Sequence, residues 1–411
     1  MDSGTGRNVR TEIVSPAGNA EKLRFAVRYG ADAVYFGGDE FNLRVRSDNF
    51  TLEEIGEAVE FCRKSGVKTV FLFNAFLHEK DIAPAASYLE KIKRLNFDAI
   101  MVSDPAAKAL IEAAGIETEF HLSTQMSVMN HLAVKFWRSA GFKRIVLARE
   151  TTLDEIRAIR DATDAEIEIF VHGALCVAYS GRCLLSRYLT GRSANQGDCS
   201  QPCRWNYSLV EKKRPGNYLD VIEHGSGTEI LSSMDLSLIE KIGDYIDAGV
   251  SAFKIEGRMK SVYYAANTTR IYRHAVDCAG TGAFAEHLPF WNRELDLISH
   301  RPYTNDLFNE FDNIPFESVP YIKKALFMGY RADDGVQSRE IDVKVFNPFS
   351  VGDIVDAIYP IKETIMDHQC IITDIRSADI GITTVARPGS VYTVTFDRPV
   401  YSNALFRKII K

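Results

Sequence analysis

The sequence predicts an α/β protein, a (β/α)8 barrel of the TIM type followed by a small C-terminal β-barrel. Up to about residue 278, eight short apolar segments alternate with amphipathic helical segments, the pattern of a closed parallel barrel. From residue 320 onward the chain changes to short strand-like segments separated by proline- and glycine-containing turns. The connection after the seventh strand is unusually long, and such loops inside a compact domain are usually functional.

Each element of the barrel carries its own local signal. Asn19 is predicted to cap the first helix, Thr51 and Glu54 form a capping-box pattern before the second, and Pro105 opens the fourth. The predicted strands are Glu12–Ser15, Ala33–Phe36, Lys68–Phe73, Asp98–Val102, Glu117–Leu122, Arg144–Ala148, Glu166–Val171 and Ala252–Glu256. Predicted helices include Leu236–Ala248 and Ser261–Cys278, on either side of the last strand.

These patterns divide the chain into three parts. Residues 1–285 are predicted to form the barrel, with a cysteine-rich loop at 173–234. Residues 281–315 are aromatic and poorly periodic, so 286–319 is interpreted as a linker or extension. Residues 320–411 are predicted to form the β-barrel domain, with strand patterns such as Ile341–Val345 and Ser390–Phe396.

Composition excludes several classes of protein. The chain has 411 residues, 46% of them hydrophobic and 25% charged, which is ordinary for a globular protein with a full core. The net charge of −6 argues against a protein that coats nucleic acid non-specifically. No apolar run approaches the roughly 20 residues of a membrane span, and Met1–Arg10 lacks the apolar core of a signal peptide. We therefore expect a cytoplasmic protein with no membrane partner.

Four of the seven cysteines lie close together in the long loop. They are Cys176, Cys183, Cys199 and Cys203, with the spacing Cys-x6-Cys-x15-Cys-x3-Cys. In a reducing compartment clustered cysteines are more often metal ligands or redox groups than disulfides. Four thiolates suit an iron–sulfur cluster or tetrahedral zinc, and inert buried thiols are the third alternative. Zinc sites usually show two closely spaced pairs, and only Cys199 and Cys203 fit that spacing, which favours the iron–sulfur cluster.

The other three cysteines are predicted to belong to the hydrophobic core. Cys62, Cys278 and Cys370 occupy apolar faces of two predicted helices and a strand.

Polar residues follow the ends of several predicted strands. In a barrel of this type the active site lies at the carboxyl ends of the strands. Each of these residues alone could be a structural polar group, but their clustering on one rim favours a functional site. The predicted rim residues are Asn74, His121, Ser123, Thr124, Gln125, Arg149, Glu150, His172, Lys254, Glu256 and Arg258.

Two predicted strands contain a carboxylate. Glu12 and Glu168 lie inside strands, where a buried carboxylate needs an arginine or lysine close by.

The long loop is also locally basic. Its cations include Arg182, Arg187, Arg192, Arg204, Lys212, Lys213 and Arg214. Interleaved Trp205 and Tyr207 are compatible with stacking on unpaired bases, whereas a solvated charged face is the simpler alternative.

The loop and the strand before it resemble the signature of the peptidase U32 family. The matching run is Glu168-x-Phe170-x-x-Gly173-Ala174-Leu175-Cys176-x4-Gly181-x-Cys183-x-Leu185-Ser186. The resemblance extends to Ser15-Pro-Ala-Gly18, Gly30-Ala-Asp-Ala-Val-Tyr35, Arg44, Asn49-Phe50, His121-x-Ser-Thr-Gln125, Arg149-Glu150 and Lys254-Ile-Glu-Gly-Arg258. Val351-Gly352-Asp353, Val385-Ala-Arg-Pro-Gly389 and Asn195-Gln-Gly197 are similar to the subgroup of tRNA 5-hydroxyuridine modification proteins.

This resemblance implies oxygen-independent hydroxylation of the wobble uridine in a tRNA anticodon loop, with prephenate as co-substrate. It implies a [4Fe-4S] cluster on Cys176, Cys183, Cys199 and Cys203, with zinc as the alternative, and an electron-donor protein as a partner. His121, His172 and Glu168 are the catalytic candidates. The two histidines are preferred as acid or base because histidine titrates near neutral pH without help. The residues predicted to bind substrates are Asn74, Gln125, Arg149, Glu150, Arg204, Lys254, Glu256 and Arg258.

Three alternatives to tRNA hydroxylation stay open. They are a U32 peptidase of the collagenase-like type, a 23S rRNA hydroxylase of the same family, and a non-catalytic RNA-binding factor. Against the peptidase, no Ser/His/Asp order and no His-Glu-x-x-His zinc motif is evident. The charged rim argues against the non-catalytic factor.

Overall fold

The computed structural model describes most of both domains and short parts of the cysteine-rich loop. The described ranges are residues 10–43, 48–175, 184–194, 198–202, 209–210, 218–219, 222–224, 227–229, 234–305, 321–362, 365–379 and 381–410. None of the helices in these ranges is long and apolar enough to cross a membrane.

The N-terminal domain is a closed barrel of eight parallel strands, as predicted. The eight barrel strands are β1 Glu12–Pro16, β2 Ala33–Phe36, β3 Lys68–Leu72, β4 Ala99–Val102, β5 Glu119–Leu122, β6 Arg144–Val146, β7 Glu166–Ala174 and β9 Ala252–Ile255. Closure comes from β9, where Lys254 pairs with Val14 of β1 on one side and with Phe170 of β7 on the other. Alternate residues from these strands form a separate core cluster inside the barrel, including Tyr35, Val70 and Met101.

Helices cover the outside of the barrel. They are α1 Ala20–Arg28, α2 Leu52–Lys64, α3 Ile82–Ile92, α4 Pro105–Ala113, α5 His131–Ser139, α6 Leu153–Ala162, α8 Ile242–Asp247, α9 Val262–Cys278 and α10 Ala283–Asp296. A further short helix, α7 Leu185–Thr190, belongs to the cysteine-rich loop. The predicted caps are confirmed: Asn19 accepts a hydrogen bond from the backbone of Lys22, and Thr51 and Glu54 form a reciprocal capping box.

The helix predicted at Leu236–Ala248 is wrong over its first turns. Asp235–Ser237 is instead a strand, β8, which pairs antiparallel with the end of β7, and α8 begins only at Ile242. The backbone of β8 finds its hydrogen-bond partners on β7, and this pairing overrides the local helical periodicity.

The region interpreted as a poorly periodic linker contains a helix. Residues 283–296 form α10, so the boundary predicted between 285 and 286 lies inside it. Trp291 and Leu295 lie on one face of α10 and are fully buried against the rest of the core. This burial stabilises the helix despite Pro289 in its interior. Beyond α10, β10 Tyr303–Thr304 pairs with β8.

The C-terminal domain is a small antiparallel β-barrel, also as predicted. Its main strands are β11 Ala325–Arg331, β12 Gln337–Val345, β13 Ile354–Ile358, β14 His368–Ser377, β15 Val391–Tyr401 and β16 Leu405–Ile409. Pairing of β13 with both β14 and β16 closes the barrel around its own apolar core.

The two domains meet through buried polar contacts. Glu294 of α10 accepts hydrogen bonds from Arg270 at 2.7 Å and from Arg407 of β16 at 2.6 and 2.8 Å. Tyr29, directly after α1, donates to the backbone of the C-terminal barrel, at 2.9 Å to Ile358 and 2.7 Å to Asn403. The second domain is therefore attached to the outside of the first through paired, buried charges.

Candidate active site

A network of ionic pairs lies at the amino-terminal end of the barrel and reaches into its interior. The guanidinium of Arg144 lies 2.8 Å from Glu12, 2.7 Å from Glu166 and 3.5 Å from Glu168. The participating side chains are Glu12, Lys68, Glu119, Lys143, Arg144, Glu166, Glu168 and Lys254. Acidic and basic members are equal in number, so the network compensates its own charge. The prediction that Glu12 and Glu168 need nearby cations is confirmed.

Lys254 and Glu168 form the innermost pair of this network. The Lys254 ammonium lies 2.8 Å from the Glu168 carboxylate, 4.3 Å from the centre of the Tyr35 ring and 3.6 Å from the sulfur of Met101. Both residues are buried. Burial lowers the pKa of Lys254, and the carboxylate of Glu168 opposes this effect. The pair is therefore suited to exchange a proton or to hold a charged group that enters the barrel.

His121 also points into the barrel interior. It is 3% exposed, and neither ring nitrogen has a hydrogen-bond partner among the residues that the structure describes. Burial, with Arg144 and Lys254 close by, holds the pKa of His121 well below its usual range. The expectation that this histidine titrates near neutral pH is therefore wrong, and its catalytic role stays a prediction.

His172 faces the helices rather than the barrel interior. Its Nδ1 atom lies 3.2 Å from the hydroxyl of Tyr272, and its Nε2 atom lies 3.5 Å from the hydroxyl of Tyr303. The pairing of β9 with β7 shifts register at Lys254, and Gly173 has a φ of 106°, so the strand bends at this point. Burial lowers the pKa of His172 to about 3, which also contradicts the expected neutral titration.

A polar arc lies at the carboxyl ends of β3, β4 and β5. Asn74 donates to the hydroxyl of Ser123 at 3.4 Å, and Gln125 accepts hydrogen bonds from both Ser123 and Ser103. The side-chain oxygen of Asn74, Oδ1, is buried and has no hydrogen-bond partner in the described part of the chain. The structure thus brings Asn74 and Gln125 together. It leaves the Asn74 side-chain oxygen available to accept a hydrogen bond from a ligand.

The ring of Phe170 lies close to two cations. The Arg149 guanidinium lies 3.9 Å from the centre of this ring, and the Lys254 ammonium lies 5.8 Å from it. Arg149 and Glu150 also line a cavity of about 210 Å³ that includes Lys241 and lies between α6 and α8.

Arg258 is held at the rim by two asparagines of the β2–α2 connection. Its guanidinium donates to Asn42 at 3.1 Å and to Asn49 at 2.5 Å. The backbone at Gly18 passes close to the backbone at Arg258. A Cβ on residue 18 would lie 2.2 Å from the backbone oxygen of Arg258, so position 18 requires glycine. Arg258 is therefore a pre-positioned cation.

Glu256 is fixed through its backbone. Its N–H donates to the carbonyl of His172 at 2.9 Å, and its carbonyl accepts from the hydroxyl of Tyr264 at 2.9 Å. The strand bend at Gly173 and the loop after β9 are thereby joined.

The described part of the cysteine loop lies beside this rim. Cys199 is half-buried, and its sulfur accepts a hydrogen bond from the backbone of Gln201 at 3.3 Å. The Gln201 side chain contacts Met259, which follows Arg258 in the chain. Ser200 donates its backbone N–H to Ser186 at 3.0 Å, so segments that adjoin two of the predicted ligands are in contact.

The other three predicted ligands lie outside the described residues; they are Cys176, Cys183 and Cys203. The same holds for the predicted RNA contacts Arg204, Trp205 and Tyr207, and for Arg44. A partly accessible thiol that accepts an N–H hydrogen bond, in a loop with three further cysteines, fits an iron–sulfur ligand. The remaining cysteines, Cys62, Cys278 and Cys370, are buried as predicted.

Two parts of the site were missed by reasoning from the sequence. Arg144 was assigned only to a strand, although its position in register with Glu166 would have indicated an ion pair. Asn42 has no signal in the sequence, since it reaches Arg258 only after the β2–α2 connection folds over the rim.

Comparison with known proteins agrees with this architecture. The model of the family described as "Peptidase family U32" matches residues 18–314. The chain is 37% identical to tRNA hydroxylation protein P1 of Bacillus subtilis over 97% of its own length and 95% of that protein. It is 34% identical to tRNA hydroxylation protein P of Escherichia coli, over 85% of this chain and 86% of that one.

A further relative matches a smaller share of the chain. The 23S rRNA 5-hydroxycytidine C2501 synthase of Escherichia coli is 43% identical over 268 residues, which cover 65% of this chain and 39% of the synthase. A family match over most of the chain, together with relatives of this identity and coverage, assigns the protein: it belongs to the peptidase U32 family.

Proposed function

We propose that this protein hydroxylates RNA, and that its substrate is the wobble uridine of tRNA, which becomes 5-hydroxyuridine. The observation that carries the proposal is the similarity to tRNA hydroxylation protein P1 over 97% of the chain, including the C-terminal barrel. Similarity to the 23S rRNA synthase covers only 39% of that enzyme. Similarity over nearly the whole length of the tRNA protein therefore favours tRNA over ribosomal RNA.

The rim supports an anionic co-substrate, for which prephenate is the candidate. Prephenate carries two carboxylates, and Arg149 and Arg258 present guanidinium groups at the same end of the barrel. Arginine binds carboxylates through paired, charge-assisted hydrogen bonds. Arg258 is already oriented by Asn42 and Asn49, which reduces the entropic cost of binding.

The barrel interior supports proton transfer. Lys254 and Glu168 form a buried pair next to the rim, and burial lowers the pKa of the lysine. Proton exchange between an ammonium and a carboxylate 2.8 Å apart needs little movement of either side chain. His121 lies close to this pair in its neutral form and supplies an imidazole acceptor.

Cys176, Cys183, Cys199 and Cys203 would hold the [4Fe-4S] cluster. When bound, the cluster supplies electron transfer or a Lewis-acid site, with an electron-donor protein as the external partner. Contact between Gln201 and Met259 brings the segment of Cys199 beside the rim cations. An anticodon loop presents its uridine already unpaired, so the base can enter the open end of the barrel at a low free-energy cost of unpairing.

The proposal is tested by mass spectrometry of tRNA nucleosides from cells that lack the gene and any oxygen-dependent enzyme for the same modification. We expect loss of 5-hydroxyuridine derivatives at the wobble position and their return with the wild-type gene. Unchanged nucleosides would reject the tRNA assignment, and loss of a hydroxylated 23S rRNA nucleoside would favour the ribosomal alternative.

Peptide cleavage receives no support from the geometry. Neither His121 nor His172 hydrogen-bonds a serine or cysteine in the described part of the chain, as a nucleophile–base pair would require. Cleavage of a defined peptide by purified protein, stopped by replacement of Lys254, would reverse this conclusion.

A further inference from the structure

A second group of metal-ligand side chains lies on the outside of the barrel, away from the proposed site. His274 and Cys278 are one turn apart on α9, and His287 projects from α10. One ligand atom from each lies within 4.8 Å of the others. Because α9 begins at the rim after β9 and runs back along the barrel, this group is at the opposite end from Arg258.

The three donors have the chemistry and the placement of a transition-metal site. An i, i+4 spacing puts the imidazole and the thiol on the same face of α9. His274 and Cys278 are nearly buried, while His287 is half-buried. Tetrahedral zinc holds nitrogen and sulfur ligands about 3.5 Å apart, so the donors need to move inward by only about 1 Å.

One existing hydrogen bond opposes metal binding. The indole N–H of Trp291 donates to Nδ1 of His274 at 3.1 Å. A metal on Nδ1 would replace this bond directly, and a metal on Nε2 would require a proton on Nδ1, facing the indole donor. Both modes therefore leave the buried indole donor without its acceptor, which lowers the affinity of the site for a metal.

We propose that His274, Cys278 and His287 form a binding site for a divalent zinc-type cation, with water as the fourth ligand. The site is independent of the four cysteines of the long loop and joins α9 to α10. Either mode of coordination disrupts the hydrogen bond of Trp291, so the buried indole reports on occupancy.

The test uses the full chain, purified anaerobically with its native metal content and then titrated with Zn²⁺. Zinc per chain is measured after removal of excess ion, and tryptophan fluorescence is followed during the titration. We expect the wild type to retain one zinc that both His287→Ala and Cys278→Ser fail to retain. The fluorescence change should be present in the wild type and absent in these two variants.

His78→Ala is the matched control, because His78 is exposed and lies far away along the chain. It should retain the zinc and the fluorescence change, and bound zinc should raise its melting temperature as in the wild type. Far-UV circular dichroism of the zinc-free variants tests whether each of them is folded. The two substitutions lie on different helices, so a loss of zinc in both, with native spectra, reflects the loss of a ligand and not a folding defect. Equal zinc retention in wild type, His287→Ala and Cys278→Ser, or no retained zinc in the wild type, would overturn the proposal.

Discussion

The ammonium of Lys254 lies 2.8 Å from the carboxylate of Glu168, and both side chains are buried inside the barrel. Glu168 is the ionic partner of Lys254 in the described part of the chain, and Glu168 also lies 3.5 Å from Arg144. Removing one partner from such a pair typically costs about 3–5 kcal/mol, whereas replacing both is often neutral.

We therefore expect Glu168→Gln to lower the free energy of unfolding by about 3–5 kcal/mol, and Glu168→Gln with Lys254→Met to recover most of that loss. Urea denaturation followed by circular dichroism measures both. RNA hydroxylation should be lost in the single and the double variant. An active double variant would show that the pair serves stability alone.

Substitution of the rim arginines should affect activity more than stability. Arg149→Ala and Arg258→Ala are expected to abolish hydroxylation or to raise the KM for prephenate at least about tenfold, because each removes a charge-assisted contact. Asn49→Ala should act in the same direction more weakly, since it only orients Arg258. Arg157→Ala, at a partly exposed position on α6, is the matched control and should behave as wild type. Wild-type kinetics in both rim variants would contradict the assignment.

Iron and sulfide content should depend on the cysteines of the long loop. Anaerobic protein is expected to contain iron and sulfide in about equal amounts, near four of each, as the cluster type requires. Cys199→Ala should lower both strongly, whereas Cys370→Ala, in the core of the C-terminal barrel, should not. Zinc without sulfide, lost in Cys199→Ala, would identify the loop as a zinc site instead.

The buried histidine on β7 should make stability depend on pH. His172 has a native pKa of about 3, against an ordinary value of 6.5, so the unfolded chain takes up a proton that the native chain does not. Below pH 6.5 the free energy of unfolding should therefore fall by up to about 1.4 kcal/mol per pH unit for this group. His172→Phe should have a shallower pH dependence between pH 6.5 and 5, while His78→Ala should keep that of the wild type. If the free energy of unfolding had the same pH dependence in all three proteins, His172 would take up its proton over the same pH range in the native as in the unfolded chain.

Attachment of the C-terminal domain should depend on Glu294. This carboxylate accepts hydrogen bonds from Arg270 and Arg407, so Glu294→Gln leaves two buried cations undercompensated. We expect a loss of stability of about 3–5 kcal/mol and faster proteolysis between the domains. Glu57→Gln, on the exposed face of α2, should change neither. An unaltered cleavage rate in Glu294→Gln would show that attachment of the C-terminal domain does not depend on this carboxylate.

The sequence by itself determined the local features of this protein. Alternation of apolar residues located all eight barrel strands, and Asn19 and Thr51 marked helix starts that the structure confirms. These features depend on neighbours within a few residues, which the sequence displays directly. The need of Glu168 for a cation followed from the cost of burying a charge.

Only the tertiary structure decided which residues meet. The register shift at Lys254 and the bend at Gly173 turn His172 toward Tyr272, although simple alternation places it at the barrel mouth. Asp235–Ser237 became a strand because the end of β7 offered hydrogen-bond partners, and α10 formed because Trp291 could be buried. Such outcomes depend on strand register, barrel closure and distant packing surfaces, which local periodicity does not encode.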